Sequence, residues 1–353
     1  MTDLDQRIAS VLREQAEGDV DIDRLTAGAV TGGRRRLRRR RAVLGGGLAL
    51  VVLLGGLAVV PALPGLDRPF TGPAGPAIPA IPAEAAPPLM PAAPGAAAAP
   101  EVVGTDAGVL HFGVDTTKVR YLRWEVAQGL ESAQLDVGGG RKVTVELARS
   151  SRTLRESGAE GVPFKISMFA EEAAFDGRTS STTVDGLPIQ VRQWKPAPGL
   201  YARASVWAPQ DTALTVAVEA LRLTEARRCG APVRLTTVPD GARVAGCRVD
   251  VTGFPRLVTA RFGIVGTSTR TMSVSYQYAA EISPRTVDGN MTIAGRPAHL
   301  YPEQGRVELL GVPKSRLLAD YGWPEQGFDK LDAALVLGGV QVAPDPTRPE
   351  TWD

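Results

Sequence analysis

The feature that most constrains this chain is a charge-free run of 25 residues from Ala42 to Leu66, AVLGGGLALVVLLGGLAVVPALPGL. A helix rises about 1.5 Å per residue and needs about 20 residues to cross a hydrocarbon core about 30 Å thick, so the run predicts a transmembrane helix over 42–64. Glycines inside it would weaken a helix in water but are common in membrane-spanning ones. The flanks predict orientation. Arg34, Arg35, Arg36, Arg38, Arg39, Arg40 and Arg41 stand immediately before the run, and only Asp67 and Arg68 stand close after it. Retention of positive charge on the cytoplasmic side puts residues 1–41 inside as a cytoplasmic tail and the large C-terminal part outside. A cleaved signal is the rival reading, with Arg40-Arg41 and Ala83-Glu84-Ala85 as its marks. The apolar run is longer than a signal core of about 7–15 residues, which favours a retained single-pass anchor in the cell membrane.

Charge follows the same division. The chain has 40 Lys plus Arg against 38 Asp plus Glu, a formal balance of +2. That average hides the Arg34–Arg41 block, which lies after all the acidic residues of the tail. The block sets topology and would draw anionic lipid headgroups, so a lipid bilayer is the first expected partner. No aromatic residue precedes Phe70, and nucleic-acid binding is not expected. In the tail, Leu4, Ile8, Val11 and Leu12 fall on one face of a helix. That face would lie on the membrane or dock a cytosolic protein.

From Pro61 to Pro100 there are 12 Pro, 13 Ala and 4 Gly. Proline fixes φ and removes an amide donor, so 65–105 reads as a disordered, semi-rigid Ala/Pro linker. Beyond it the pattern changes. Runs such as VRYLRWEV (119–126), KVTVEL (142–147), RLVTARFGI (256–264) and MSVSYQY (272–278) alternate apolar and polar residues between turn-forming Asp-Gly pairs. TTVDGLPIQVRQW from Thr182 and RTVDGNMTIAGRP from Arg285 resemble one another, and each is followed by a helical candidate, 212–224 and 328–340. The predicted fold class is therefore α+β. A duplicated, mainly antiparallel-sheet domain forms exported lobes 106–228 and 229–343 with one covering helix each, followed by a C-terminal tail 344–353.

Cys229 and Cys247 are the only cysteines. The intervening segment reads as a hairpin, with a strand at 233–237, a Pro-Asp-Gly turn at 239–241 and a strand from 242. Such a hairpin would bring the two cysteines together. Outside the cytoplasm they should form a structural disulfide. Catalytic motifs are missing. There is no phosphate loop, no dinucleotide fingerprint and no nucleophile elbow. His111 and His299 are the only histidines and read as structural residues, Gly138-Gly139-Gly140 as a hairpin turn, and most tryptophans as core. No enzyme activity, cofactor or metal is expected.

The order of parts (short acidic tail, arginine run, Gly/Ala/Val/Leu-rich span, Ala/Pro spacer, β-rich C-terminal region), with Arg strongly favoured over Lys, resembles an actinobacterial layout of single-pass membrane-anchored proteins. Some proteins of similar layout are transmembrane anti-sigma regulators. The sequence thus suggests a membrane-anchored extracytoplasmic binding or envelope-structural protein. Two alternatives stand beside it: a signalling regulator with a cytosolic docking helix, and an exported carrier of an apolar ligand held between sheet and helix. The corresponding partners are a cell-envelope or a cytosolic protein.

Overall fold

The computed structural model describes residues 84–156, 175–267, 270–283, 287–322 and 327–352. All of them fall in one unit, 77–353. The tail, the arginine block Arg34–Arg41 and the span predicted at 42–64 lie outside the described residues. Among the described residues no helix is long and apolar enough to cross a membrane.

The strands follow in chain order: β1 Val109–Leu110, β2 Gly113–Val114, β3 Arg120–Ala127, β4 Leu130–Asp136, β5 Lys142–Ala148. Helix α1, Ser151–Glu156, precedes β6 Thr179–Val184, β7 Leu187–Ala197 and β8 Leu200–Trp207. Helix α2, Thr212–Ala220, leads to β9 Leu221–Arg222, β10 Arg227–Arg228, β11 Val233–Leu235, β12 Arg243–Asp250, β13 Leu257–Val265 and β14 Thr271–Ala279. Then come β15 Met291–Ile293, β16 Arg296–Tyr301, β17 Arg306–Leu309, β18 Ser315–Asp320, helix α3 Lys330–Gly338 and β19 Val340–Val342.

Thirteen of these strands form a single antiparallel sheet in the order β15-β16-β17-β18-β14-β13-β12-β3-β4-β5-β8-β7-β6. This corrects the predicted fold class. The described chain is mostly antiparallel β rather than α+β, and the expected lobes are two halves of one sheet, joined where β3 pairs β12. That pair carries uninterrupted cross-strand partners from Gly246↔Ala127 to Asp250↔Arg123.

Strict alternation explains the layering. On β13, Val258, Ala260, Phe262 and Ile264 are buried, and on β14 Met272, Val274, Tyr276 and Tyr278 are buried. Side chains of period two share one face, so these residues, with Val143, Val145, Leu147, Ala202 and Ala204 of the other half, make a continuous apolar face. Helix α2 covers it through Ala213, Leu214 and Ala217, and α3 through Ala333, Val336 and Leu337. Helix α3 starts where Asp329 accepts hydrogen bonds from the amides of Leu331 and Asp332, and Asp332 reciprocates on the Asp329 amide. Both helices match their sequence expectations within a few residues.

Three further expectations are corrected. The linker predicted over 65–105 is ordered from residue 84, with Ala85, Ala96, Ala99 and Val103 buried. Small side chains let this Pro-rich segment lie close on the sheet, and one carboxylate fastens it. Glu131 accepts hydrogen bonds from the amides of Gly104 (2.8 Å) and His111 (2.6 Å), and its Oε1 lies 2.6 Å from His111 Nδ1. Second, β11 does not hairpin with β12 but pairs with β19. The disulfide Cys229–Cys247 forms regardless, with Cα atoms 6.2 Å apart, joining the residue after β10 to β12. Trp124 Nε1 donates to the Cys229 carbonyl at 2.7 Å in the same buried corner. Third, the matched Val-Asp-Gly segments do different jobs. Asp185-Gly186 joins β6 to β7, whereas Asp288-Gly289 precedes β15. The turn that repeats the Val184↔Leu187 register is Ala294-Gly295, where Ile293 pairs Arg296. Both turns need positive φ at both residues, 52° and 80° in one and 47° and 78° in the other.

Candidate functional site

The other face of the sheet is polar, and its two halves differ. Cross-strand register generates them as rows. In the first half one row reads Glu125, Ser132, Glu146, Arg203 across β3, β4, β5 and β8. In the second half the matching row reads Asp250, Thr259, Gln277, Arg316 across β12, β13, β14 and β18. The neighbouring rows read Arg123, Gln134, Thr144, Ser205 and Arg248, Arg261, Ser275, Leu318. The two sets repeat each other about the β3–β12 junction, where Trp124 faces Val249.

At that junction an Arg-x-acid pattern occurs on each strand, Arg123-Trp124-Glu125 and Arg248-Val249-Asp250. Antiparallel pairing turns the pattern into two equivalent ion pairs. Arg123 meets Asp250 at 2.6 Å and Arg248 meets Glu125 at 2.7 Å. Burial pushes the Asp250 carboxyl up. Donation by the Thr252 amide and by the Arg123 guanidinium outweighs this and holds it below its ordinary value.

In the first half the face is closed. Ser132, Thr144, Glu146, Arg203 and Ser205 are all buried. Glu146 and Arg203 meet at 2.6 Å with no exposed side-chain surface. Beside them Leu154 of α1 packs with Leu130, Ala148, Phe175 and Tyr201. The link from β5 to β6 here runs over 149–178, whereas the link from β14 to β15 is only 280–290.

In the second half the face is an open groove of about 560 Å³ lined by Arg123, Arg248, Arg261, Arg306 and Arg316 together with Asp250, Glu308 and Asp320. Ser273, Ser275, Thr259 and Gln277 form its floor. Arg306 is paired with Asp320 at 2.8 Å, and Tyr301 donates to the buried Glu308 at 2.8 Å. Two guanidinium groups are different. Arg261 is exposed and Arg316 half-buried, and neither has a hydrogen bond or ion pair among the described residues. The Nε of Arg316 is shielded from solvent without an acceptor. Arg261 also sits directly across from Arg248, a like-charge cross-strand pair that costs stability unless an anion lies between. Below the floor, burial pushes the Tyr276 phenol up to about 12, partly offset by donation from the Ser315 hydroxyl at 3.1 Å.

The residues singled out in the sequence fall elsewhere. Cys229 and Cys247 lie buried on the apolar side. His111 is buried against Glu131, and His299, on the rim, lies 2.6 Å from the Asp288 carbonyl. Trp352 is core, but Trp207 is 46% exposed. Among the described residues no cluster of three potential metal ligands forms. The arginines of the groove occupy the positions between the apolar ones, and an Arg-x-acid pattern marks Arg123, Arg248 and Arg306 among them but not Arg261 or Arg316. Buried apolar side chains line the interface between α2, α3 and the sheet.

No protein-family model and no curated protein matches the chain. Among solved structures, the crystal structure of MucB in complex with MucA(peri) aligns over 67% of this chain and 92% of that one, at 12% identity and a TM-score of 0.20. A likeness at that level carries no inference about fold or function.

Proposed function

We propose that this protein is an extracytoplasmic, non-enzymatic binding protein whose open polar sheet face takes a negatively charged partner. The observation that carries the reading is the groove itself, where Arg261 and Arg316 present two guanidinium groups without a carboxylate of their own. Arginine is suited to this because its planar fork binds carboxylate or phosphate oxygens in pairs. The placement outside the cytoplasm rests on the disulfide Cys229–Cys247, since such bonds persist in oxidising compartments.

The test uses the full chain with Arg34–Arg41 replaced by glutamine, so that this block contributes no attraction of its own. Binding to an immobilised peptide in which glutamate alternates with serine is compared with the same chain carrying Arg261→Gln and Arg316→Gln. The reading expects salt-sensitive binding that the two substitutions remove. Equal retention of both proteins would overturn it.

A further inference from the structure

The two halves of the polar face differ in a way that identifies the chemistry of the missing group. Register places Glu146 and Gln277 at corresponding positions, each directly across from an arginine, Arg203 and Arg316. In the first half the carboxylate belongs to the chain. In the second half an uncharged amide of nearly the same size stands in its place. A second exchange acts in the same direction, because Arg261 stands where the first half has Gln134. Within these two adjacent rows the second half lacks one negative charge and gains one positive charge, while further out it carries Glu308, Asp320 and Arg306 where the first half has Val191, Trp207 and Ile189. The links differ too, since 149–178 follows β5 whereas only 280–290 follows β14.

We infer that the partner bound on this face is an acidic polypeptide segment, one of whose side-chain carboxylates takes the place beside Arg316 that Glu146 holds beside Arg203. This rests on the anion-binding reading above and specifies its ligand. A polypeptide is favoured over a dense polyanion by the groove's own carboxylates. Asp250, Glu308 and Asp320 are interspersed among the arginines and would repel a ligand carrying charge at every repeat. They tolerate a segment in which acidic residues alternate with neutral or basic ones. The groove also crosses β12, β13, β14, β18 and β17, a width of about 20 Å at about 4.8 Å per strand, which suits an extended chain better than a single small acid.

The experiment supplies the missing carboxylate from within. Gln277→Glu recreates the first-half pair, and the folding risk is small because Gln277 is exposed and the same pair already exists in this fold. In the background lacking Arg34–Arg41, affinity for a capped Glu/Ser-repeat peptide is measured by calorimetry for the parent, for Gln277→Glu and for Arg261→Gln. The inference expects Gln277→Glu to weaken the peptide by about tenfold or more, as loss of a charge-assisted hydrogen bond predicts. The far-ultraviolet circular dichroism spectrum should be unchanged. If Arg261→Gln weakens binding but Gln277→Glu does not, the carboxylate-replacement inference fails while the anion-binding reading stands. If neither substitution matters, both fail. If polyphosphate binds the parent more tightly than the peptide does, the face belongs to a dense polyanion and the inference is overturned.

Discussion

The closed half of the sheet offers the sharpest energetic test. Glu146 and Arg203 face each other from adjacent strands, 2.6 Å apart, with no exposed side-chain surface. Glu146→Gln keeps the shape and removes the charge, leaving the guanidinium buried. Removing one partner of a buried pair costs about 3–5 kcal/mol, because the survivor loses its counter-charge and cannot recover water. The same pairing in the open half has the opposite expectation. There Gln277→Glu adds a carboxylate next to Arg316 at an exposed position, and an exposed ion pair contributes about 0–1 kcal/mol. The two substitutions exchange the same two residue types at corresponding positions, so their difference isolates burial. Urea unfolding followed by tryptophan fluorescence measures both, with Trp124 as a fully buried reporter. A loss below about 1 kcal/mol for Glu146→Gln would refute the reasoning, since it lies outside the range for removing one partner of a buried ion pair.

Other consequences are checked more simply. Reducing Cys229–Cys247 opens a loop of 18 residues and should lower stability by about 3 kcal/mol on the chain-entropy estimate, read as a fall in melting temperature with reductant. Gly104→Ala should destabilise by about 1–3 kcal/mol: φ there is +70°, and a Cβ would collide with the Gly129 backbone, disturbing the amide that donates to Glu131. The Asp250 carboxyl lies below its usual range, so the stability it contributes is present above the unfolded value near about pH 4 and is lost as pH falls through the folded one. Asp250→Asn should flatten that acid limb in a pH series of unfolding midpoints. Tyr276 is displaced upward, so its contribution is complete below about pH 10, the unfolded value, and declines towards about 12. Tyr276→Phe should remove that alkaline decline.

How much of this was legible in the sequence depended on whether a feature was local. Alternation on β13 and β14 and the stretches that form α2 and α3 are set within a few residues, and they lie where the sequence suggests them. The partners of strands are not local. β11 is a strand where the sequence suggests one, but its partner β19 lies about a hundred residues away, and no turn residue encodes that. The Pro/Ala segment misled for a related reason. Its composition forbids a core of its own but does not forbid lying on one supplied by the sheet, which Ala96 and Val103 do. The repeat was visible, but its register was not, because Val-Asp-Gly is a turn signal wherever it occurs. The correspondence became clear only where hydrogen-bonded pairs could be counted outward from Trp124 and Val249.

That counting also explains why one face of one sheet is half closed and half open. An arginine can be covered only if a carboxylate is covered with it, since an uncompensated buried charge costs several kcal/mol. Arg203 has Glu146, so α1 and its neighbours can seal the first half with Leu154 against Leu130 and Ala148. Arg316 faces Gln277, and Arg261 faces Ser275 on one side and Arg248 on the other. Sealing that half with an apolar segment would strand two guanidinium groups at once. The second half therefore stays wet until something brings negative charge to it. The substitution of an amide for a carboxylate at a single register position separates a self-satisfied surface from one that needs a partner.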